Sequence, residues 1–539
     1  MKRVYLRGDV QAEPLMDQWY AWTHLVPPAT GSRNLTGRNM RIMESYIAAP
    51  MIHANAVKNP KMLGGPFIDY NGKRLDEIKE LLKTTAAKRS YLITLSKALE
   101  ELDQMLQSRA KGESLQRLYP LVPAPLRGYV ELVYDLNNRP SFRLIEPLLY
   151  RSEYYKTDGQ SIMLSRTSGD DRPFILSTPR LPDKGLLQLN LPFCSEAIDR
   201  FFSSKIKAEP YEEVMEQCGV DQKDDTLFRS FFTEEQPRRY SRYEGRGVRW
   251  RYFGHACILL ESPAVSLLFD PVLSYTYESN TSRYTYDDLP DYIDYVLITH
   301  NHQDHVLIET LLQLRHKIGT VIVPRSGPGA LQDPSLKLVL EAIGFKNVIE
   351  LGEMGSIQLE GGSLTGLPFF GEHADLNVPS KLAYLVELKG HRLLFAADSC
   401  NVEPELYHRL RKIVGDVRAL FVGMECDGAP GSWLYGPLYS RRLEHNHDES
   451  RRLNGSNFSQ AMEIVNALEC KEVFVYAMGQ EPWLNHVMSI KYTPESNPIV
   501  HSNRLLDACR ERGMIAERLF GEREMLLEDL PVQSFAMSH

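Results

Sequence analysis

Four side chains with metal-binding donors, His300, His302, Asp304 and His305, fall within six residues of the segment YVLITHNHQDHV, directly behind an apolar run. No other feature restricts the possible folds of the chain as much. The apolar run reads as a buried strand. A strand end pins the backbone, so the loop behind it aims the alternate side chains His300 and His302 at one ion. Asp304 and His305, at the start of the next helix, then reach a second. Neutral imidazoles and a carboxylate satisfy divalent transition metals without a thiolate. A polar loop with accidental histidines accounts for the cluster poorly, because the chain holds only 15 histidines in 539 residues.

The surroundings of this motif read as an α/β domain. RYFGHACILLE and VSLLFDPVL precede it as short buried strands, and helical and extended patterns alternate behind it. The polar stretch from Glu234 to Gly247, EEQPRRYSRYEGRG, marks a boundary. Residues 1–245 then form an N-terminal α+β domain and residues 246–539 the catalytic domain. In the first, apolar residues from Leu75 to Leu106 step by three and four, as in an amphipathic helix or helix pair. Between Tyr129 and Thr178 the runs YVELVYDL, SIMLSR and RPFILST look extended, with turns at Asn137-Asn138 and Gly169-Asp170-Asp171.

Composition removes several function classes. With 43% hydrophobic and 24% charged residues the chain is neither largely disordered nor fibrous. Its formal net charge of −8 gives no field for general nucleic-acid binding. No apolar run is long enough to span a membrane, and the N-terminus lacks a signal-peptide core, so the expected location is the cytoplasm. Seven dispersed cysteines without a C-x-x-C pair read as reduced thiols, and Cys400, two residues from Asp398, as packing.

The run of His300, His302, Asp304 and His305 resembles the H-x-H-x-D-H motif of the metallo-β-lactamase superfamily. The resemblance implies an αββα sandwich of the α/β class, here with the additional N-terminal domain. It also implies an early strand ending in Phe269-Asp270-Pro271, a metal-bridging aspartate at Asp398 in RLLFAADSC, and a last ligand at His486 in VFVYAMGQEPWLNH. The remaining ligand position falls in PFFGEHADL, where Glu372 and His373 are adjacent. Glu372 is a hard anionic donor that favours iron, whereas His373 would restore a dinuclear zinc hydrolase of lactones, thioesters or phosphodiesters.

With the opening MKRVYLRGDVQAEPLMDQWYAW and the GEHADL segment, the whole chain is similar to the diiron β-hydroxylases of the chloramphenicol-biosynthesis type. That likeness implies a non-heme monooxygenase with two Fe ions, oxo- and carboxylate-bridged, and O2 as co-substrate. His300, His302 and Glu372 would hold one iron, Asp304, His305 and His486 the other, and Asp398 would bridge them. Glu372, able to change its binding mode, and Asp398 are the expected catalytic carboxylates. The implied partners are an aminoacyl-loaded peptidyl carrier domain of a nonribosomal peptide synthetase, an external electron donor and a second copy of the chain in a homodimer. The N-terminal domain would serve dimerisation and docking.

Other residues stay open. His255 in YFGHAC is either a partner of the metal site or a buried structural histidine. His445 and His447 read as a solvated loop or a lid, and Trp433 and Tyr435 as candidates for a substrate channel. Arginines 238–251 and 441–452 are solvated or dock an acidic carrier. A degenerate, purely binding fold would not need all these ligands.

Overall fold

From Val248 onward the apolar runs assemble into two seven-stranded sheets in a computed structural model that describes residues 2–240 and 242–528. Met1, Ser241 and residues 529–539, including the outer ends of both expected domains, lie outside the described residues. The first sheet runs Val348–Leu351, Ile318–Pro324, Ile293–Leu297, Ser266–Phe269, Cys257–Glu261, Val248–Gly254, Arg523–Leu527. Its first four strands are parallel and the rest antiparallel. The second runs Ser356–Leu359, Gly362–Leu367, Ala383–Leu388, His391–Phe395, Ala419–Gly423, Glu472–Tyr476, Ile515–Arg518. It changes from antiparallel to parallel at His391–Phe395.

Alternation along each strand decides which residues meet between the sheets. Ile258, Leu260, Leu267 and Phe269 point inward, while Leu259 and Leu268 point outward into a different apolar cluster. The inner layer is aromatic. Phe269 of the first sheet stacks on Phe395 of the second at 3.9 Å between ring centroids, and Trp250 meets Phe421 and Phe474 edge-on. Fully burying a ring of this kind stabilises by roughly 1.5–3 kcal/mol. The outer face of the second sheet carries the helices Glu405–Val414, Phe458–Ala467 and Asn497–Glu511.

The outer face of the first sheet carries the helix Ile308–Leu314, and all seven of its residues are buried. A surface helix would turn Glu309 and Gln313, four apart and on one face, to water. Here Tyr20 and Arg172 donate to Glu309, each at 2.7 Å, and Lys205 donates to Gln313 at 2.9 Å. The N-terminal residues therefore cap the helix with matched polar groups. Around this contact one apolar cluster continues from Val4 and Trp19 to Leu268 and Val296.

Within the N-terminal part, Val10–Met16 pairs with Gln160–Arg166 over seven residues, flanked by Trp19–Tyr20 and Leu187–Leu189. The three-and-four periodicity becomes two helices, Leu75–Lys88 and Ser90–Arg109, with Leu95, Leu99, Leu102 and Leu106 buried together. Asn138, at φ 56°, turns the hairpin Val130–Tyr134/Pro140–Leu144. RPFILST is not a strand. Its Ile175 N–H is instead spent on the carbonyl of His486 at 2.9 Å. Among the described residues, every strand of the two large sheets comes from 248–527, and no helix is long and apolar enough to cross a membrane.

Candidate metal centre

Loops at one edge of the sandwich converge on a buried cluster of donors. Behind Ile293–Leu297 the chain makes a tight turn, with the amides of His305 and Val306 both bonded to the carbonyl of His302. Asp304 and His305 thus sit in this turn, ahead of the helix that begins at Ile308 and not at its start as the sequence suggested. A tight turn lets side chains one, two and four positions apart share one side, which a helical start does not.

Each imidazole is oriented from behind. Asp270, at the end of Ser266–Phe269, accepts from the Thr299 hydroxyl at 2.6 Å and faces His305 Nδ1 at 2.8 Å. Thr299 Oγ1 in turn lies 3.0 Å from His300 Nδ1. Both rings therefore present Nε2 to the pocket, the usual way a carboxylate or hydroxyl fixes the tautomer of a metal ligand. His302 is held the other way round, its Nε2 3.2 Å from the Tyr435 hydroxyl and its Nδ1 facing the cluster.

The carboxylates come from strained backbone. Gly371, Glu372, Ala374 and Asp375 all have φ between 53° and 79°, and Ala397, just before Asp398, has φ 47°. Left-handed backbone costs a non-glycine residue roughly 1–2 kcal/mol, so this bend is held by its surroundings. Lys381 Nζ donates to the Gly371 carbonyl at 3.0 Å and ties the loop down. At the other carboxylate, a Cβ on Gly423 would lie 2.3 Å from Asp398 Oδ1. Only a glycine lets the strand Ala419–Gly423 approach this closely.

Three donor groups result, each within 4.8 Å: His300, His302 and Glu372; His300, His305 and Asp398; His255, Asp304 and His305. His300 and His305 are each shared, with Asp398 Oδ2 2.9 Å from His305 Nε2 and 3.6 Å from His300 Nε2. His302 Nδ1 and Glu372 Oε2 approach to 2.8 Å, yet Glu372 Oε2 and His300 Nε2 have no hydrogen-bond partner. Asp398 Oδ1 is unpartnered as well. Buried polar atoms without partners are costly. Unpartnered donor atoms that converge on one pocket fit metal ions, and the donor set of imidazoles with three carboxylates fits two irons.

The electrostatics agree. Burial alone would depress the histidines, and it does so for His300, helped by His305 and His302. For His305 burial is outweighed by Asp398, Asp270 and Asp304, and for His302 by Glu372, so both are raised. Burial lifts the Glu372 carboxyl to about 7 against the pull of His302. A pocket with this many buried charges is stable only with something to share them.

Six of the seven expected ligands meet in these groups. His486 joins none of them. It lies in the short helix Asn485–Met488, edge-on to Tyr20 at 6.2 Å, and both its ring nitrogens are without protein partners. The donor beside Asp304 is His255, whose Nε2 is 3.0 Å from Asp304 Oδ2. His255 sits at φ 52° in the turn between two strands, its carbonyl accepting from Ala477. His373 is buried, with Nδ1 on the Gly371 carbonyl at 3.3 Å, and belongs to no donor group. Cys400 packs against the Glu372 loop, and a Cβ on Gly371 would lie 2.4 Å from its own Cβ.

Three neighbours are not evident from the sequence. Asp270 is visible there only as the end of a strand, although a charge directly behind a buried run is a signal. Glu425 lies two residues past Ala419–Gly423, and burial together with Asp398, Asp304 and Glu372 pushes it well above the usual carboxylate range. The hydroxyl of Tyr492 is buried without a partner, and burial together with Glu425 and Asp398 raises it above the usual phenol range. His445 and His447 lie in an exposed helical turn whose Asp448 accepts from the Ser432 amide at 2.9 Å. Of the linker arginines, Arg242 bonds Asp294 at 2.9 Å and Arg251 is buried beside Glu261, so they brace the first sheet.

Comparison with known proteins agrees with this geometry. Residues 5–237 match the diiron non-heme β-hydroxylase N-terminal domain, and residues 266–427 match the β-lactamase superfamily domain. The 4-amino-L-phenylalanyl-[CmlP-peptidyl-carrier-protein] 3-hydroxylase of Streptomyces venezuelae is 40% identical over 536 residues, which is 97% of this chain and 100% of that protein. The crystal structure of CmlA, a diiron β-hydroxylase from Streptomyces venezuelae, superposes with a TM-score of 0.92 at 39% identity, over 98% of this chain and 100% of that one. A substituted form of CmlA gives 0.89 at 39% identity, over 97% and 100%. With a β-hydroxylase N-terminal domain, a β-lactamase-fold domain and a donor set for two irons, the chain belongs to the diiron non-heme β-hydroxylase family.

Proposed function

We propose that the protein is a diiron monooxygenase that hydroxylates the β-carbon of an aminoacyl group held as a thioester on a nonribosomal peptide synthetase carrier domain. The observation that carries this is Glu372, and not the adjacent His373, facing His302 Nδ1 and completing the first donor group. Family membership and the carrier-bound substrate of the 40% identical relative support it. His300, His302 and Glu372 would hold one iron, Asp304 and His305 the other, with Asp398 between them and His255 in place of His486. Bound iron supplies the oxidising chemistry with O2. The overall balance is one C–H bond, O2, two electrons and two protons giving one C–OH bond and water, so an external electron donor belongs to the reading.

The chain's own residues do the positioning. Asp270, Thr299 and Tyr435 fix the imidazole rings, which removes reorganisation from the reaction. The imidazoles of His255, His300 and His305 are fully buried, while Asp304, Glu372 and Asp398 keep 7–8% exposure. The carboxylate edge is therefore the side on which a tethered substrate is presented, and burial elsewhere keeps water out.

A zinc hydrolase would use an imidazole at the Glu372 position, and the adjacent His373 turns its Nδ1 to a backbone carbonyl and joins none of the donor groups. The test is iron-loaded, reduced enzyme exposed to O2 with aminoacyl-loaded carrier domain. The expected result is a gain of about 16 Da on the tethered group, one oxygen atom. A colourless, zinc-filled enzyme that leaves the thioester unhydroxylated overturns the reading. The same reading includes a homodimer, which light scattering tests at twice the chain mass.

A further inference from the structure

The cluster lies under the surface, so a tethered substrate needs a way in. A cavity of about 250 Å³ opens between the segment Met62–Phe67 and residues 485–491. Two of its lining residues, Met62 and Leu63, are 39% and 38% exposed. Val57, at the end of the helix Pro50–Val57, lines it too, and the same helix exposes Met51 and Ile52 at 61% and 63%. Exposed large apolar side chains at the mouth of a cavity, as Met62 and Leu63 are here, mark a contact surface. The exposed Lys491 lines the cavity, and the exposed Lys61 directly precedes its lining residue Met62.

The inner wall is joined to the metal centre by one short chain of contacts. Gly64 accepts from Trp433 Nε1 at 2.8 Å and Phe174 stacks on the same indole at 6.1 Å. Two residues beyond Trp433, Tyr435 bonds His302. This chain of contacts ends at His302, a member of the first donor group.

We propose that this cavity is the mouth through which the phosphopantetheine arm enters, with the apolar rim seating the carrier domain and Lys61 and Lys491 facing the arm's phosphate. The proposal rests on the function proposed above. An amphipathic arm with one phosphate at its base matches an apolar, partly polar cavity with an exposed cation, Lys491, on its wall; the buried Arg172, which also lines it, is already paired with Glu13 and Glu309. A larger groove, of about 720 Å³, is lined by Arg41, Lys97, Glu100 and Asp103 among others. Its mixed charge and largely polar walls suit such an arm less well.

The experiment compares the full-length parent with three full-length variants: Lys61→Glu combined with Lys491→Glu, Leu63→Asp, and Arg41→Glu as the control in the other groove. Affinity for the aminoacyl-loaded carrier domain that the parent hydroxylates is measured at low and high salt, with iron content determined for each. The double reversal is expected to weaken binding about tenfold at low salt, less at high salt, with iron unchanged and Arg41→Glu at the parent value. Leu63→Asp is expected to weaken binding in a way that salt does not relieve. Binding by the double reversal and by Leu63→Asp within twofold of the parent, or loss in Arg41→Glu alone, overturns the proposal while hydroxylation by the parent keeps the function. A parent that hydroxylates no carrier-bound group overturns the function itself.

Discussion

At the scale of single residues, the sequence shows the donors but not what holds them. His300, His302, Asp304 and His305 are legible because four scarce donors rarely fall at this spacing unless they share a metal. Their supports, Asp270, Thr299 and Tyr435, are common residues whose role depends on a fold that brings 270 beside 305 and 435 beside 302. His486 has the place of a ligand behind a late strand, but the short helix Asn485–Met488 turns it toward Tyr20. His255 stands beside Asp304 instead. Replacing His255 with Ala is accordingly expected to lower bound iron from two per chain toward one, while His486→Ala keeps two, as read by metal analysis of the purified variants. The opposite pattern would return His486 to the second ion. Gly423→Ala puts a methyl group against Asp398, and should cost at least about tenfold in kcat, the scale of a displaced ligand partner. Its thermal melting should fall as well, because the same methyl group also meets the Ala397 carbonyl oxygen at 3.0 Å in a buried site.

At the scale of elements, the periodic helices and the short buried strands are readable, since each follows from an apolar repeat. RPFILST departs from its extended pattern because a short apolar run does not reveal whether its amides find a strand or a loop partner. The helix Ile308–Leu314 shows the same limit, as nothing in IETLLQL tells that its polar face is covered. Glu146, at the start of the helix Glu146–Leu149, is another buried acid, accepting from the Ser335 amide at 3.1 Å. Burial lifts its carboxyl to about 7. Between pH 4.5 and about 7 the folded chain keeps a proton that the unfolded chain has released. This group's stability contribution is therefore present below that window and lost as pH rises through it. Glu146→Gln removes the titration and keeps an acceptor. Its stability relative to the parent should therefore rise by about 2–3 kcal/mol from roughly pH 5 to pH 8, measured by urea unfolding. A difference independent of pH would contradict this.

At the scale of the whole molecule, the boundary at residue 245 separates the strands but not the core. One apolar cluster runs from Val4 to Val296, and Arg172, Tyr20 and Lys205 satisfy a helix of the other half. Residues 246–539 made alone would expose that wholly buried helix with its bare glutamate. They are expected to be insoluble or to melt far below the intact enzyme, and co-expression with residues 1–245 is expected to rescue them. Independent folding of the isolated piece, seen as a sharp two-state transition, would show that the shared core is dispensable.

Because four left-handed residues around one lysine tether, and no helix or strand, set the direction of Glu372, metal preference is carried by the contour of a loop. An engineer wishing to turn this oxygenase into a hydrolase would gain little from exchanging the glutamate alone, and would have to transplant the stretch from 371 to 381 as a piece.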